Sequence, residues 1–192
     1  MRTRNFIFTL VLALSMALIG CSGEDYGKTV EQGRCVAFGN GKVSFVRDVN
    51  KDPKKGPKYE NTILTFAMPT DPKEIGPEPA LGNLITFNAD KNEVTVYKDG
   101  ALQTVPVEVV NVQKGVERFN TAVKDKKFPM VDQAKKEVTI YLRKVLATLK
   151  IPANLPSDEA FWARGDDVRV FFTEKGQARR FMNITKTNIF KK

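Results

Sequence analysis

The sequence predicts a mainly β protein built as two tandem five-stranded units, and three observations carry that expectation. From Arg34 onward, short segments alternate apolar and polar side chains between Gly, Pro, Asn and Asp, the period-two pattern of half-buried strands. Glycine-bearing turns at Gly39-Asn40-Gly41, Lys98-Asp99-Gly100 and Glu174-Lys175-Gly176-Gln177 supply the positive φ angles that tight hairpins require. The second half of the chain also echoes the first, and self-similarity of this kind bears directly on architecture.

Alternation places strands near 34–38, 42–48, 61–67, 83–88, 92–98 and 102–110, and a second series near 128–132, 137–142, 145–151, 166–173 and 178–187. Within these, Thr65-Phe66-Ala67-Met68-Pro69 matches Thr148-Leu149-Lys150-Ile151-Pro152. Gly82-Asn83-Leu84-Ile85 likewise matches Gly165-Asp166-Asp167-Val168, all at a constant offset of 83. Upstream, Cys35 and Val43 stand to each other as Met130 and Val138 do, at an offset of 95, so a loop of about twelve residues is extra in the first copy. Asp48 to Lys58, rich in lysine and proline, is that insertion. In the second copy Pro156-Ser157-Asp158-Glu159-Ala160-Phe161-Trp162 reads as a short helix, with Ser157 as cap and two acids in its first turn.

Five strands with a short helix between the third and fourth resemble an OB-fold, a Greek-key barrel. The expected organisation is therefore a first β unit over 30–112, a connector over 113–126 and a second β unit over 127–192. Val116, Phe119 and Val123 make the connector a short packing helix by their spacing.

The amino terminus has a different character. Arg2 and Arg4 precede an uncharged apolar run from Phe6 to Ile19, too short to span a bilayer, and Gly20 then precedes a cysteine. Leu18-Ile19-Gly20-Cys21 resembles the lipobox of bacterial lipoproteins. The resemblance implies that 1–20 is a signal peptide removed before Cys21, and that Cys21 and its new amino terminus carry fatty chains holding the protein to membrane lipid. One chain alone holds weakly, whereas two or three make attachment effectively permanent. Residues 21–29, polar and glycine-containing, read as a lipid-anchored tether. By the same resemblance the protein sits in the cell envelope, and Ser22 after the cysteine favours the outer membrane, facing the periplasm, with the inner membrane left open. The whole chain also resembles an uncharacterised family of small lipoproteins from sulfate-reducing bacteria, a likeness that implies no function.

Composition narrows the chemistry. The chain has no histidine, which removes imidazole bases, imidazole metal ligands and every histidine-dependent triad. No cofactor is expected. With Cys21 consumed by lipid, Cys35 has no disulfide partner and reads as a small core hydrophobe. Loss of the signal lowers the net charge from +9 to +7, a moderate excess that favours acidic glycan, lipid headgroup or envelope protein as partner. Export argues against nucleic acid, whatever an OB-like basic domain would otherwise suggest.

Asp48-Val49-Asn50-Lys51-Asp52 opens like a calcium loop, but Pro53 stands where glycine is required, Tyr59 where a bidentate glutamate is required, and the surrounding lysines repel a cation. No metal site is expected. The adjacent acids Asp166 and Asp167 point to opposite faces of a strand and cannot converge on one substrate. On the last hairpin, alternation turns Val168, Val170 and Phe172 inward and Arg169, Phe171 and Thr173 outward; on the following strand it turns Met182 inward and Arg179 and Phe181 outward. Arg169, Phe171, Arg179 and Phe181 are therefore the candidate ligand-binding residues, rings for stacking and guanidinium groups for phosphate or carboxylate. The function expected is a non-catalytic binding or scaffolding module for an envelope component, with a carboxylate-dependent hydrolase or transferase as the alternative.

Overall fold

The computed structural model describes residues 29–50 and 55–187. The expected signal peptide over 1–20, the expected tether over 21–28 with Cys21, loop positions 51–54 and the last five residues lie outside the described residues. Thr29, expected as the end of the tether, is the first residue of a strand and pairs with Phe172.

The protein is mainly β. A meander of β1 (Thr29–Gly39), β2 (Lys42–Asp48) and β3 (Tyr59–Ala67) opens the chain. Three strands follow as β4 (Leu84–Asn88), β5 (Glu93–Lys98) and β6 (Ala101–Pro106), then β7 (Val109–Lys114), β8 (Met130–Asp132), β9 (Glu137–Leu142) and β10 (Val145–Lys150). The one α-helix among the described residues, α1 (Glu159–Trp162), leads into the final hairpin of β11 (Asp167–Glu174) and β12 (Gln177–Asn183). The turns follow the sequence logic: Asn40-Gly41 and Asp99-Gly100 carry positive φ at both central positions, as two-residue hairpins with right-handed twist demand.

The strands are shared out differently from the tandem expectation. One closed five-stranded barrel, in the order β1-β2-β3-β12-β11, takes three strands from the start of the chain and two from its end, with β12 parallel to β3 and the other pairs antiparallel. This is the Greek-key, OB-like barrel, but residues 30–112 and 127–192 do not each form one. Everything between β3 and β11 is an insertion of two facing sheets, β4-β5-β6 and β7-β10-β9-β8. In terms of the echo, the two copies exchange their last strands: β4 and β5 pack on β9 and β10, while β11 and β12 close the barrel of β1–β3.

The exchange occurs where the equivalent segments cross. Leu84 N–H donates to Ala163 O at 3.2 Å and Asp166 N–H donates to Ala80 O at 2.9 Å, so the two segments pair briefly. The echoed glycines make that approach possible: a Cβ on Gly82 would lie 2.2 Å from Ala163 O, and one on Gly165 would lie 2.1 Å from Cys35 O. Asp166 ties the crossing together, its buried carboxylate accepting from Ala80 N and Asn183 Nδ2, each at 2.8 Å.

Two cores result. Cys35, Val43, Phe45, Phe66, Val168, Val170, Ala178 and Phe181 fill the barrel. Leu84, Val94 and Val96 meet Val138, Ile140 and Leu149 between the sheets of the insertion, with Phe161 and the fully buried Trp162 of α1. Val36 and Val46, on the outside of the barrel, pack on Ile85 and join the two bodies.

Three local expectations need correcting. The strand expected over 102–110 breaks near Pro106, where the chain leaves one sheet for the other. Positions 113–126 contain no helix: β7 runs on to Lys114, Gly115 adopts φ +73°, and the Asn120 side chain accepts from Ala122 N–H in a turn. Val116 and Val123 are buried as their spacing suggested, but Phe119 is 71% exposed, because one helical turn's worth of pattern does not nucleate a helix. At α1 the cap is Asp158, whose Oδ1 accepts from Phe161 N–H at 2.8 Å, and not Ser157.

Candidate functional site

The outer face of β11 and β12 forms the floor of a groove of about 920 Å³, walled on one side by the segment Pro69–Glu74 and at one end by Val30. A volume of this size falls in the range that small ligands occupy. Arg169, Phe171 and Thr173 line it from β11, as the period-two alternation placed them, and Arg179 lines it from β12.

Phe181 does not. It is 1% exposed, in the barrel core, with its ring centroid 5.8 Å from that of Phe38. The cause is a bulge. Phe171 pairs with Arg180 and Phe172 with Ala178, which leaves Arg179 as the extra residue on β12. Past that point every side chain on β12 changes face, so Phe181 and Asn183 turn inward, while Met182, expected in the core, lines the groove. The bulge also brings Arg179 and Arg180 out together, a pairing that strict alternation forbids.

The charges in the groove are unevenly committed. Arg180 pairs with Glu74 at 3.2 Å, and the Asp71 carboxylate caps the 3₁₀ turn Pro72–Glu74 by accepting from Lys73 N–H at 2.9 Å. Arg169 donates from Nε and Nη2 to Gln32 Oε1, at 3.2 and 2.8 Å, a neutral partner that orients the guanidinium without neutralising it. Arg179 makes no ion pair among the described residues.

A second polar cluster lies between barrel and insertion. Buried Arg34 donates from Nε to Asp167 Oδ1 at 2.7 Å and from Nη2 to the Tyr59 hydroxyl at 2.5 Å, and Arg164 reaches the other Asp167 oxygen at 2.6 Å. Asp166 and Asp167 thus serve opposite sides of β11, one at the crossing and one at this cluster. Sequence reasoning missed Arg34, because an arginine in an alternating strand looks like a solvent-facing residue. Here it is buried against Tyr59 and Asp167. Asp48, which opens the calcium-like motif, instead accepts backbone N–H bonds from Asn50 and Lys58 and closes its own loop.

A family model described as a domain of unknown function, DUF4881, matches residues 25–192. The chain belongs to the DUF4881 family. No curated protein and no solved structure matches it. The family match covers the barrel and the insertion together, so the split barrel and its inserted sheets are one DUF4881 unit.

In this DUF4881 chain the buried Cys35 and the partly buried Tyr59 lead us to expect loss of stability at alkaline pH. Burial, with a smaller contribution from Asp166, pushes the Cys35 thiol from its ordinary 9.0 up to about 12, against a lowering bond to Ala37 O. Burial also raises the Tyr59 hydroxyl to about 12, opposed by Arg34. Both folded values exceed the unfolded ones, so their contribution is complete below about pH 9 and is lost as pH rises from 9 to 12. We expect the urea midpoint to fall above pH 9, with about 2 kcal/mol lost to the thiol by pH 11. Cys35→Ala should flatten the drop between pH 9 and 11, and iodoacetamide should leave native Cys35 unmodified at pH 8. Rapid alkylation of the folded protein would contradict the burial argument.

Proposed function

We infer that this protein is an envelope lipoprotein, anchored through acylated Cys21, whose barrel acts as a non-catalytic binding or scaffolding module for an envelope component. The lipobox, the charged start and the short apolar run support the anchor. Ser22, after Cys21, favours the outer membrane, facing the periplasm. The binding reading is carried by one observation: a groove on the outer wall of the barrel joins an aromatic ring, Phe171, to two guanidinium groups, Arg169 and Arg179, that make no ion pair among the described residues. Such a surface holds a phosphate or carboxylate by charge and a planar or sugar-like group by stacking.

Mass spectrometry of the native protein tests the anchor, with a mature chain starting at acylated Cys21 as the expected result. Binding is tested by comparing retention of the parent protein and Arg169→Ala/Arg179→Ala on peptidoglycan, lipid vesicles and envelope extracts. Reduced retention on at least one supports the groove, and unchanged retention on all three ends the reading.

A further inference from the structure

We propose that the ligand of the groove is the headgroup phosphate of an anionic phospholipid in the same bilayer that holds the Cys21 anchor, so that the barrel lies against its own membrane. This rests on the lipid-anchored reading above and names the partner that reading leaves open.

Position carries the argument first. Val30 lines the groove and is nine residues from Cys21. Nine residues span at most about 30 Å when fully extended. As a flexible coil they span about 15 to 18 Å. The groove is thus held close to the bilayer surface by a short tether, which raises the effective headgroup concentration to the millimolar range or above. A site too weak to retain a soluble anion becomes occupied under those conditions. A free glycan or an acidic protein gains nothing from the tether, and this is what favours the lipid among acidic partners.

Chemistry carries it second. Of the three arginines in the groove, Arg180 is neutralised by Glu74, whereas Arg169 is held by neutral Gln32 and Arg179 projects from the bulge without an ion pair among the described residues. Of the three acids in the lining, Glu74 is paired with Arg180, while Asp71, which caps its turn by accepting from Lys73 N–H, and Glu174 keep their charges without pairing to Arg169 or Arg179 among the described residues. Two guanidinium forks are therefore available to phosphate oxygens. Phe171, Met182 and Val30 are half-buried beside them and supply the apolar contact that suits the headgroup boundary.

The test uses the mature chain from residue 21 with Cys21→Ser, which keeps every described residue and removes the lipid. Co-sedimentation is measured at several millimolar accessible lipid, matching the effective headgroup concentration that the tether imposes, on vesicles of phosphatidylcholine alone and of phosphatidylcholine with phosphatidylglycerol. The expected result is retention on the anionic vesicles only, weakened by about fivefold in Arg179→Ala and about thirtyfold in Arg169→Ala/Arg179→Ala, and declining with salt. Arg179 is exposed and makes no ion pair among the described residues, so its variant should melt with the parent and remain informative if the double variant does not fold. Equal retention on both vesicles, no retention on either, or loss that does not follow Arg179 would overturn the proposal. Saturation by inorganic phosphate alone at sub-millimolar concentration would assign the groove to a free anion and equally overturn it. Failure here with acylated Cys21 found in the native protein rejects the lipid ligand and leaves the anchored module standing. A bare Cys21 removes the anchor itself.

Discussion

Replacing Gly165 by alanine should cost about 3 kcal/mol or more, from a single added methyl group. The reason is steric. The new Cβ would sit 2.1 Å from the carbonyl oxygen of Cys35 and 3.3 Å from the amide nitrogen of Gly82, and both are backbone atoms that no rotamer change can move aside. Relief requires shifting β1, whose Cys35 N–H is bound to Asp166 O at 2.9 Å, or the partner crossing segment. Either movement disturbs the barrel closure and the Asp166 bonds together. For a domain of this size the melting temperature should fall by about 6 to 12 °C. Gly115→Ala is the control, since its φ of +73° carries a conformational penalty of about 1 kcal/mol, yet nothing lies within 4 Å of the added carbon. Equal losses at the two positions would show that backbone freedom, and not the close approach, explains Gly165.

The strands, their hairpins and the mainly β fold were legible because each depends on local pattern. Val168 and Val170 alternate inward as expected, and Asn40-Gly41 turns as its residues require. Partner choice was not legible. Ile85 and Val168 stand at equivalent places in the two copies and both are buried, yet no local signal in either segment says which sheet it joins. The segments cross at a close approach of Gly82 and Gly165, and in sequence those glycines looked like ordinary strand starts. The groove was legible in three of its four residues for the same reason that it failed at the fourth. Alternation places Arg169, Phe171 and Arg179 on the outer face, but the bulge at Arg179 moves Phe181 inside and Met182 out. A repeated arginine, Arg179-Arg180, was the one available hint, because two successive charges on a half-buried strand cannot both face solvent without a break in register.

Cutting the chain in the exposed turn after Glu117 should leave two fragments that cannot fold apart and recover the native structure when mixed. The fragment ending at Glu117 keeps β1–β3 without the strands that close their barrel, and β4–β7 without β9 and β10, on which their apolar faces pack. The fragment starting at Arg118 carries the reciprocal deficits, with Val168, Val170 and Phe181 exposed on a two-stranded hairpin, which is marginal in water at best. The whole folding free energy, about 5 to 15 kcal/mol for a domain, is then lost in each fragment alone. Amide spectra of the separate fragments should be poorly dispersed, and an equimolar mixture should reproduce the spectrum of the intact chain. Tandem units would behave in the opposite way, each half folding without the other. A well-dispersed spectrum from the first fragment as a monomer would therefore show that its strands can close on themselves, and that exchange between the copies is a choice made by the intact chain rather than a necessity of its two cores.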